Sequence, residues 1–289
     1  MKKRIVTIAL VIALLATCFA GTYAYLTDTD AAVNTMTLGN VKIEQWEYQR
    51  ATNEDGTYKT DTIDGRTSYV LEAFEDNKPL FPAVIPNGGT VNGVTWDYDA
   101  IPVRMSQVDS HGGASVFNTP NAVDKFVTVE NTGDSDAYVR TLIAFEMGSL
   151  SVEEFAKAIS YEMRADEAGE GAFPWQFGTQ VVANIGGHNY YVYELIYCGA
   201  QTSTVYKHEN GILPAGETTY PSLCQVYMTA ESTNETVNAI DGDANGEYDI
   251  LVLSQAVQAA GFENAKLALD TAFGAVTADT AAQWLANVQ

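Results

Sequence analysis

The chain has 289 residues, with 37 acidic side chains against 15 Lys and Arg, and 46% of its residues are hydrophobic. A formal charge of −22 argues against a nucleic-acid partner, because phosphates require a basic face, and against docking on anionic membrane surfaces. Three cysteines and three histidines are too few for a disulfide-built scaffold or a histidine-rich metal centre.

Lys2, Lys3 and Arg4 carry the early positive charge, and residues 5 to 21 form an uncharged apolar run shorter than the roughly 20 residues that a spanning helix prefers. The run ends at Thr22-Tyr23-Ala24, whose small flanking residues suit a signal peptidase cutting after Ala24. Residues 1–24 therefore read as a secretory signal, with no stable membrane anchor after cleavage. An uncleaved anchor is a rival, but Asp28 and Asp30 stand where stop-transfer basic residues belong. A lipid-attachment site at Cys18 is another, and Thr17 suits it poorly. Cleavage leaves 37 acids, 12 basic residues and a formal charge of −25. Cys198 and Cys224 remain, either bridged or as two buried thiols.

Residues 33 to 46 alternate apolar and polar side chains and shift face at Gly39-Asn40, which predicts two stretches of strand joined by a bend. A loop-rich insertion spans about 47–122: residues 47 to 68 are polar, and 79 to 122 hold five of the eight prolines. Residues 126–130 and 137–145 are rich in β-branched and aromatic residues and flank six turn formers, which predicts a hairpin. Ser151-x-x-Glu154 has the form of a capping box, and Val152, Phe155, Ile159 and Met163 recur at helical spacing, so a helix is expected over 152–164.

A second hairpin is expected from residues 181–184 and 190–197 around Gly186-Gly187. Strands follow at 223–229 and from Tyr248 to about Ala259, and two helical patterns make a tail over about 262–289. The fold class expected for residues 25–289 is mainly β, a jelly-roll-like β-sandwich with a few appended α-helices.

Within these elements, Asp241, Asp243, Asn245 and Asp249 stand at positions 1, 3, 5 and 9 of an EF-hand-like loop with Gly246 at position 6. Val252 occupies position 12 in place of the bidentate glutamate, so a calcium loop stands beside the plainer reading of an acidic Gly/Asn turn that needs no ion. No other cofactor is indicated.

Leu26-Thr27-Asp28 after the Thr22-Tyr23-Ala24 cut site, the Thr37-Leu38-Gly39-Asn40-Val41-Lys42-Ile43 strand, and Asp124 to Arg140 with its Asn-Thr-Gly turn and Asp-Ala-Tyr-Val-Arg strand resemble exported proteins with the SipW-type signal peptide, the group that contains TasA and camelysin. The resemblance implies a specialised signal peptidase as partner, secretion to the matrix or surface of a monoderm bacterium, a jelly-roll fold, and a biofilm fibre whose subunits join through their new amino ends. On physical grounds an extended segment freed by cleavage can satisfy an open sheet edge on another copy. The expected self-association residues are Tyr25, Leu26 and Val33 of the segment 25–33, which could equally complete their own sheet.

Camelysin-like members are described as metallopeptidases, but His111, His188 and His208 fall in predicted loops and His208-Glu209 lacks the second histidine of a zincin. The chain therefore reads as a non-enzyme. The alternative from another class is a monomeric surface module binding carbohydrate or protein through Trp96, Trp175 and the tyrosines near 190.

Overall fold

The computed structural model describes residues 35–63, 65–75, 78, 80, 82–83, 87–91, 94–96, 101, 103, 116, 122–202, 208–242 and 247–288. In chain order the strands are β1 (Thr35–Leu38), β2 (Ile43–Arg50), β3 (Thr60–Ile63), β4 (Arg66–Tyr69), β5 (Leu71–Ala73), β6 (Pro82–Ala83), β7 (Asn87–Val91), β8 (Val94–Trp96), β9 (Val123–Asp124), β10 (Phe126–Asn131) and β11 (Ala137–Glu146). Then come β12 (Ile159–Met163), β13 (Ala165–Asp166), β14 (Trp175–Ile185), β15 (His188–Tyr197), β16 (Leu223–Thr229) and β17 (Ile250–Gln258). The helices are α1 (Val152–Ala158), α2 (Asn234–Ile240), α3 (Ala265–Phe273) and α4 (Ala278–Leu285). The protein is mainly β, as the alternating pattern predicts.

The largest sheet has the order β1-β17-β11-β15-β14-β13, antiparallel except for the parallel outer pairs β1–β17 and β13–β14. A second sheet runs β10-β2-β5, and a third runs β12-β16-β6, with β9 also on β16. Bonds from the Lys125 amide to the Cys224 carbonyl (2.9 Å) and from the Ser222 amide to the Val127 carbonyl (2.9 Å) tie β10 to the head of β16.

β11 shows why the centre of the large sheet is apolar on both faces. Val139, Ile143 and Phe145 point to a cluster shared with Ile43, Val127 and Val129 of β2 and β10 and with Val226 and Met228 of β16. Leu142 and Ala144, one residue out of phase, face the opposite side, where Ala281 and Leu285 of α4 cover them, while Tyr138 meets Leu269 of α3. Alternation sends successive side chains to opposite faces, so a strand covered on both sides needs apolar residues at almost every position. Each large side chain so buried contributes about 1.5–3 kcal/mol.

Two expectations are corrected, one open alternative is decided, and one element is added. The first concerns the segments on either side of Asn131–Asp136, which are strands but do not pair: β10 joins β2, while β11 joins β15 and β17. Asn131 explains the crossing. Fully buried, it donates from Nδ2 to the Ser135 carbonyl (2.8 Å) and the Leu213 carbonyl (3.1 Å) and accepts the Gly133 amide (3.2 Å), while that amide also reaches the Lys42 carbonyl at 3.0 Å. The turn is thereby fastened to chain from both sheets, which outweighs local hairpin closure.

The second concerns the predicted helix, which stops at Ala158. Its capping box at Ser151 and Glu154 forms as expected, but from Ile159 the chain is extended and pairs with β16. Ile159, Tyr161 and Met163 satisfy a period of two as well as the helical one, and the edge of β16 decided between them. Third, of the two readings left open for Cys198 and Cys224, the structure has the buried free thiols. Fourth, α2 was not expected, although Thr233 and Thr236 cap it reciprocally.

Other expectations hold. Gly39, with φ at +90°, marks the bend between β1 and β2, which go to different sheets. Gly186 and Gly187, with φ of +62° and +99°, form the tight turn of the β14–β15 hairpin. Within the insertion, β3 pairs with β4 and β7 with β8.

Candidate functional site

β17 is paired along its whole length with β11, but on its other side it meets β1 only from Ser254 to Val257. Among the described residues no strand pairs with Ile250–Leu253 on that side. Gln45 of β2 stands there instead: its Nε2 donates to the Val252 carbonyl at 3.4 Å, and its Oε1 accepts the Ser254 hydroxyl at 2.7 Å. Backbone groups left open along a strand are a template for pairing with another chain.

A cleft of about 890 Å³ lies at the head of this strand. Tyr248 and Ile250 line it together with Val237 and Ile240 of α2, Val226 and Met228 of β16, Val123 of β9, and Phe74 and Leu80 from the insertion. Its charged groups are Lys78, Lys125, Asp241, Glu247 and Asp249. Lys125 is held by Glu47, and its ammonium lies 4.2 Å from the centre of the Phe74 ring. The Tyr248 hydroxyl is buried, with no hydrogen-bond partner among the described residues. Burial holds its proton well above the usual phenol range, and the Glu146 and Asp249 carboxylates add to that.

Glu146, at the end of β11 and 1% exposed, shapes this rim. One carboxylate oxygen accepts the Gly242 amide at 2.6 Å and the other the Asp249 amide at 3.3 Å, so a single side chain grips both ends of the acidic loop. Burial raises its pKa above the ordinary carboxylate range, the two amides oppose that, and the charges of Asp249 and Asp241 reinforce it. Nothing in local sequence marks Glu146 for this part. A lone charge ending an apolar strand, 96 positions from Gly242, was the one available sign.

Of the residues singled out by sequence, Thr22, Ala24, Tyr25, Leu26 and Val33 lie outside the described residues, as do Asp243 and Asn245 of the acidic loop, His111 and the side chain of Trp96. Asp241 ends α2, and Asp249 bonds through its backbone to Glu146 and through Oδ2 to the Tyr190 hydroxyl at 3.4 Å. Among the described residues no group of three or more His, Cys, Asp or Glu side chains is placed to hold a metal ion. His208 meets the Tyr197 hydroxyl at 2.8 Å, and Trp175, Tyr190, Tyr193 and Tyr197 are buried. Trp175 spends its indole N–H on the Tyr220 carbonyl at 2.9 Å. Of the aromatics assigned to a binding surface, Trp175, Tyr190, Tyr193 and Tyr197 therefore belong to the core.

No described helix is long and apolar enough to cross a membrane. Compared with known proteins, the chain matches no family model, no curated protein and no solved structure.

Proposed function

We propose that this chain is a secreted structural protein of the extracellular matrix, a relative of the SipW-type TasA and camelysin group built as a jelly-roll-like β-sandwich, which polymerises when residues 25–33 of one copy add as a strand to the next. The observation that carries the reading is the Ile250–Leu253 side of β17, which no strand among the described residues covers, beside the cleft. β1 enters the sheet opposite Ser254, at the end of that stretch. Extended at about 3.3 Å per residue, the nine residues 25–33 reach roughly 30 Å, enough to leave one copy and lie along another.

Chemistry at the cleft favours such a guest. Tyr25, Leu26 and Val33 match its wall of Val226, Met228, Ile240 and Ile250. The sandwich reading is supported by the core that the β11 and β10–β2 faces share. No catalytic step is part of this function, and signal peptidase cleavage after Ala24 precedes it.

Removing residues 25–33 from the purified mature chain is expected to abolish filaments seen by electron microscopy and leave a folded monomer. Filaments of unchanged abundance, or a parent chain that stays monomeric at every concentration in size-exclusion chromatography, would overturn the proposal.

A further inference from the structure

β14 lies toward one side of the large sheet, and β13 pairs only with its first two residues, Trp175 and Gln176. Among the described residues no strand lies beside residues 180–185 on the side away from β15. An irregularity between Phe177 and Gln180 bends the head of the strand, and from Gln180 the ladder with β15 runs in unbroken register to the turn at Gly186-Gly187. Ile185 and His188 flank that two-residue turn and so form a hydrogen-bonded pair. The alternation of an antiparallel ladder then gives the backbone groups of Val181 and Ala183 to β15 and turns those of Gln180, Val182 and Asn184 outward.

A free edge usually carries a charge or a proline against pairing. The exposed β3–β4 hairpin has Asp61 and Arg66. The β14–β15 hairpin has no such device: no Asp, Glu, Lys, Arg or Pro occurs from Trp175 to Tyr193, in a chain whose formal charge is −22. Like charge keeps copies of an acidic chain apart, and this stretch adds nothing to that repulsion. Gln180-Val181-Val182-Ala183-Asn184 also reads alike in both directions, an amide at each end and three apolar residues between. An antiparallel pair centred on Val182 sets that residue, 40% exposed, against its own copy and each Gln180 against an Asn184. The two amides are complementary. Gln180 accepts the Tyr191 hydroxyl on Oε1 (3.0 Å) and keeps Nε2 to donate, while Asn184 donates from Nδ2 to Asn189 Oδ1 (3.1 Å) and keeps its own Oδ1 to accept.

We propose that β14 is an interface for a second copy of this chain, pairing antiparallel with its own counterpart about a two-fold axis at Val182, so that two large sheets join into one. The outward residues Gln180, Val182 and Asn184 of each strand then form hydrogen-bonded pairs, with about six backbone bonds in all. Val181 and Ala183, packed with Ala281 and Leu285 of α4, bring the apolar layers of the two copies together at the axis. The contact is isologous, the same patch on both copies, so it closes at a dimer. A basic peptide strand, the other occupant that an acidic chain attracts, finds no carboxylate between Trp175 and Tyr193. The interface uses neither β17 nor residues 25–33 and does not depend on polymerisation.

The test is disulfide capture in the purified protein. Val182→Cys sets two thiols across the axis with Cα atoms about 5.5 Å apart, a separation that a disulfide spans, whereas Gln180→Cys sets them about 14 Å apart. Under a mild oxidant the first variant is expected to run as a covalent dimer on a non-reducing gel. Gln180→Cys and the parent, whose Cys198 and Cys224 are buried, are expected to run as monomers. Sedimentation velocity is expected to show a dimer for the parent and at least tenfold weaker association for Val182→Lys, which keeps the parental circular dichroism. A parent without a dimer, no cross-link in Val182→Cys, equal cross-linking of Gln180→Cys, or parental association of Val182→Lys would overturn the proposal. Filaments that persist in Val182→Lys while its dimer is lost would support an interface separate from residues 25–33.

Discussion

Arg140 of β11 and Glu194 of β15 place Nη1 and Oε1 3.1 Å apart with neither side chain exposed at all. Arg140 is satisfied on every side: Nε donates to Gln255 Oε1 (2.6 Å), Nη1 also to Asp270 Oδ1 (3.0 Å), and Nη2 to the Gly274 carbonyl (3.0 Å). Its guanidinium lies 5.0 Å from the centre of the Trp284 ring. The pair thus joins the middle of the large sheet to α3, its end at Gly274, and α4.

Removing one charge of this pair leaves the other buried and uncompensated. Arg140→Ala is expected to cost about 3–5 kcal/mol, measured by urea unfolding of the purified protein, and to open α3 and α4 to limited proteolysis. A loss below about 1 kcal/mol, the size of a surface ion pair, would refute this role.

Gly178 tests the same carboxylate from the other side. A β-carbon there would stand 2.4 Å from Glu194 Oε2, which already accepts the Thr179 amide at 2.9 Å. Gly178→Ala is expected to destabilise by about 1–3 kcal/mol, the usual cost of forcing extra volume into a packed site, and equal melting temperatures for parent and variant would contradict it.

Asn131→Ala removes two donors and one acceptor at the crossing between sheets, taking its donor from the Ser135 carbonyl and leaving the Leu213 carbonyl with the Ala137 amide. A loss of about 1–3 kcal/mol is expected. Asn131→Asp keeps the acceptor and loses both donors, so it is expected to be no better than alanine. Thermal unfolding of the two variants side by side checks the ordering.

Glu146 gives a pH dependence of definite sign. Its folded pKa lies above the unfolded value of 4.5, so between those two values the folded state holds more protons than the unfolded one. Its contribution to stability is therefore fully present below pH 4.5 and falls as pH rises through the folded pKa. Asp241, Asp249 and Tyr248 face the same carboxyl. Glu146→Gln is expected to flatten the fall in melting temperature above pH 4.5. A variant with the parental pH profile would remove Glu146 as its source.

Burial pushes the Cys224 thiol up to about 12. At pH 8 only about one part in ten thousand is then thiolate, the reactive form, and Cys198 is shifted the same way by burial. Iodoacetamide is expected to leave Cys224 of the native chain unmodified and to label both cysteines after denaturation, read by mass spectrometry. Rapid native labelling of Cys224, or an intramolecular bridge in the native protein, would contradict the buried free thiol.

What could be read from sequence was what local chemistry dictates. Alternation and β-branched runs located β2, β11, β15 and β17, glycines marked the bends at Gly39 and Gly186-Gly187, and the Ser151 box began α1. In the candidate site, Asp241 and Asp249 were visible as an acidic loop, while Glu146 and Gln45 were not, because each acts on chain far away in sequence.

By itself the sequence determined the strand-rich class, the acidic surface and the places where the chain must bend, since these follow from side-chain period, charge and backbone freedom over a few residues. Only the tertiary structure decided that β10 and β11 part company across Asn131, that Ile159–Met163 is strand and not helix, that Trp175 is interior while Trp46 is not, and that no strand among the described residues covers Ile250–Leu253 on one side of β17. Each of those choices is a competition between partners distant along the chain, and its outcome depends on which buried hydrogen bonds and apolar faces the folded molecule can satisfy together.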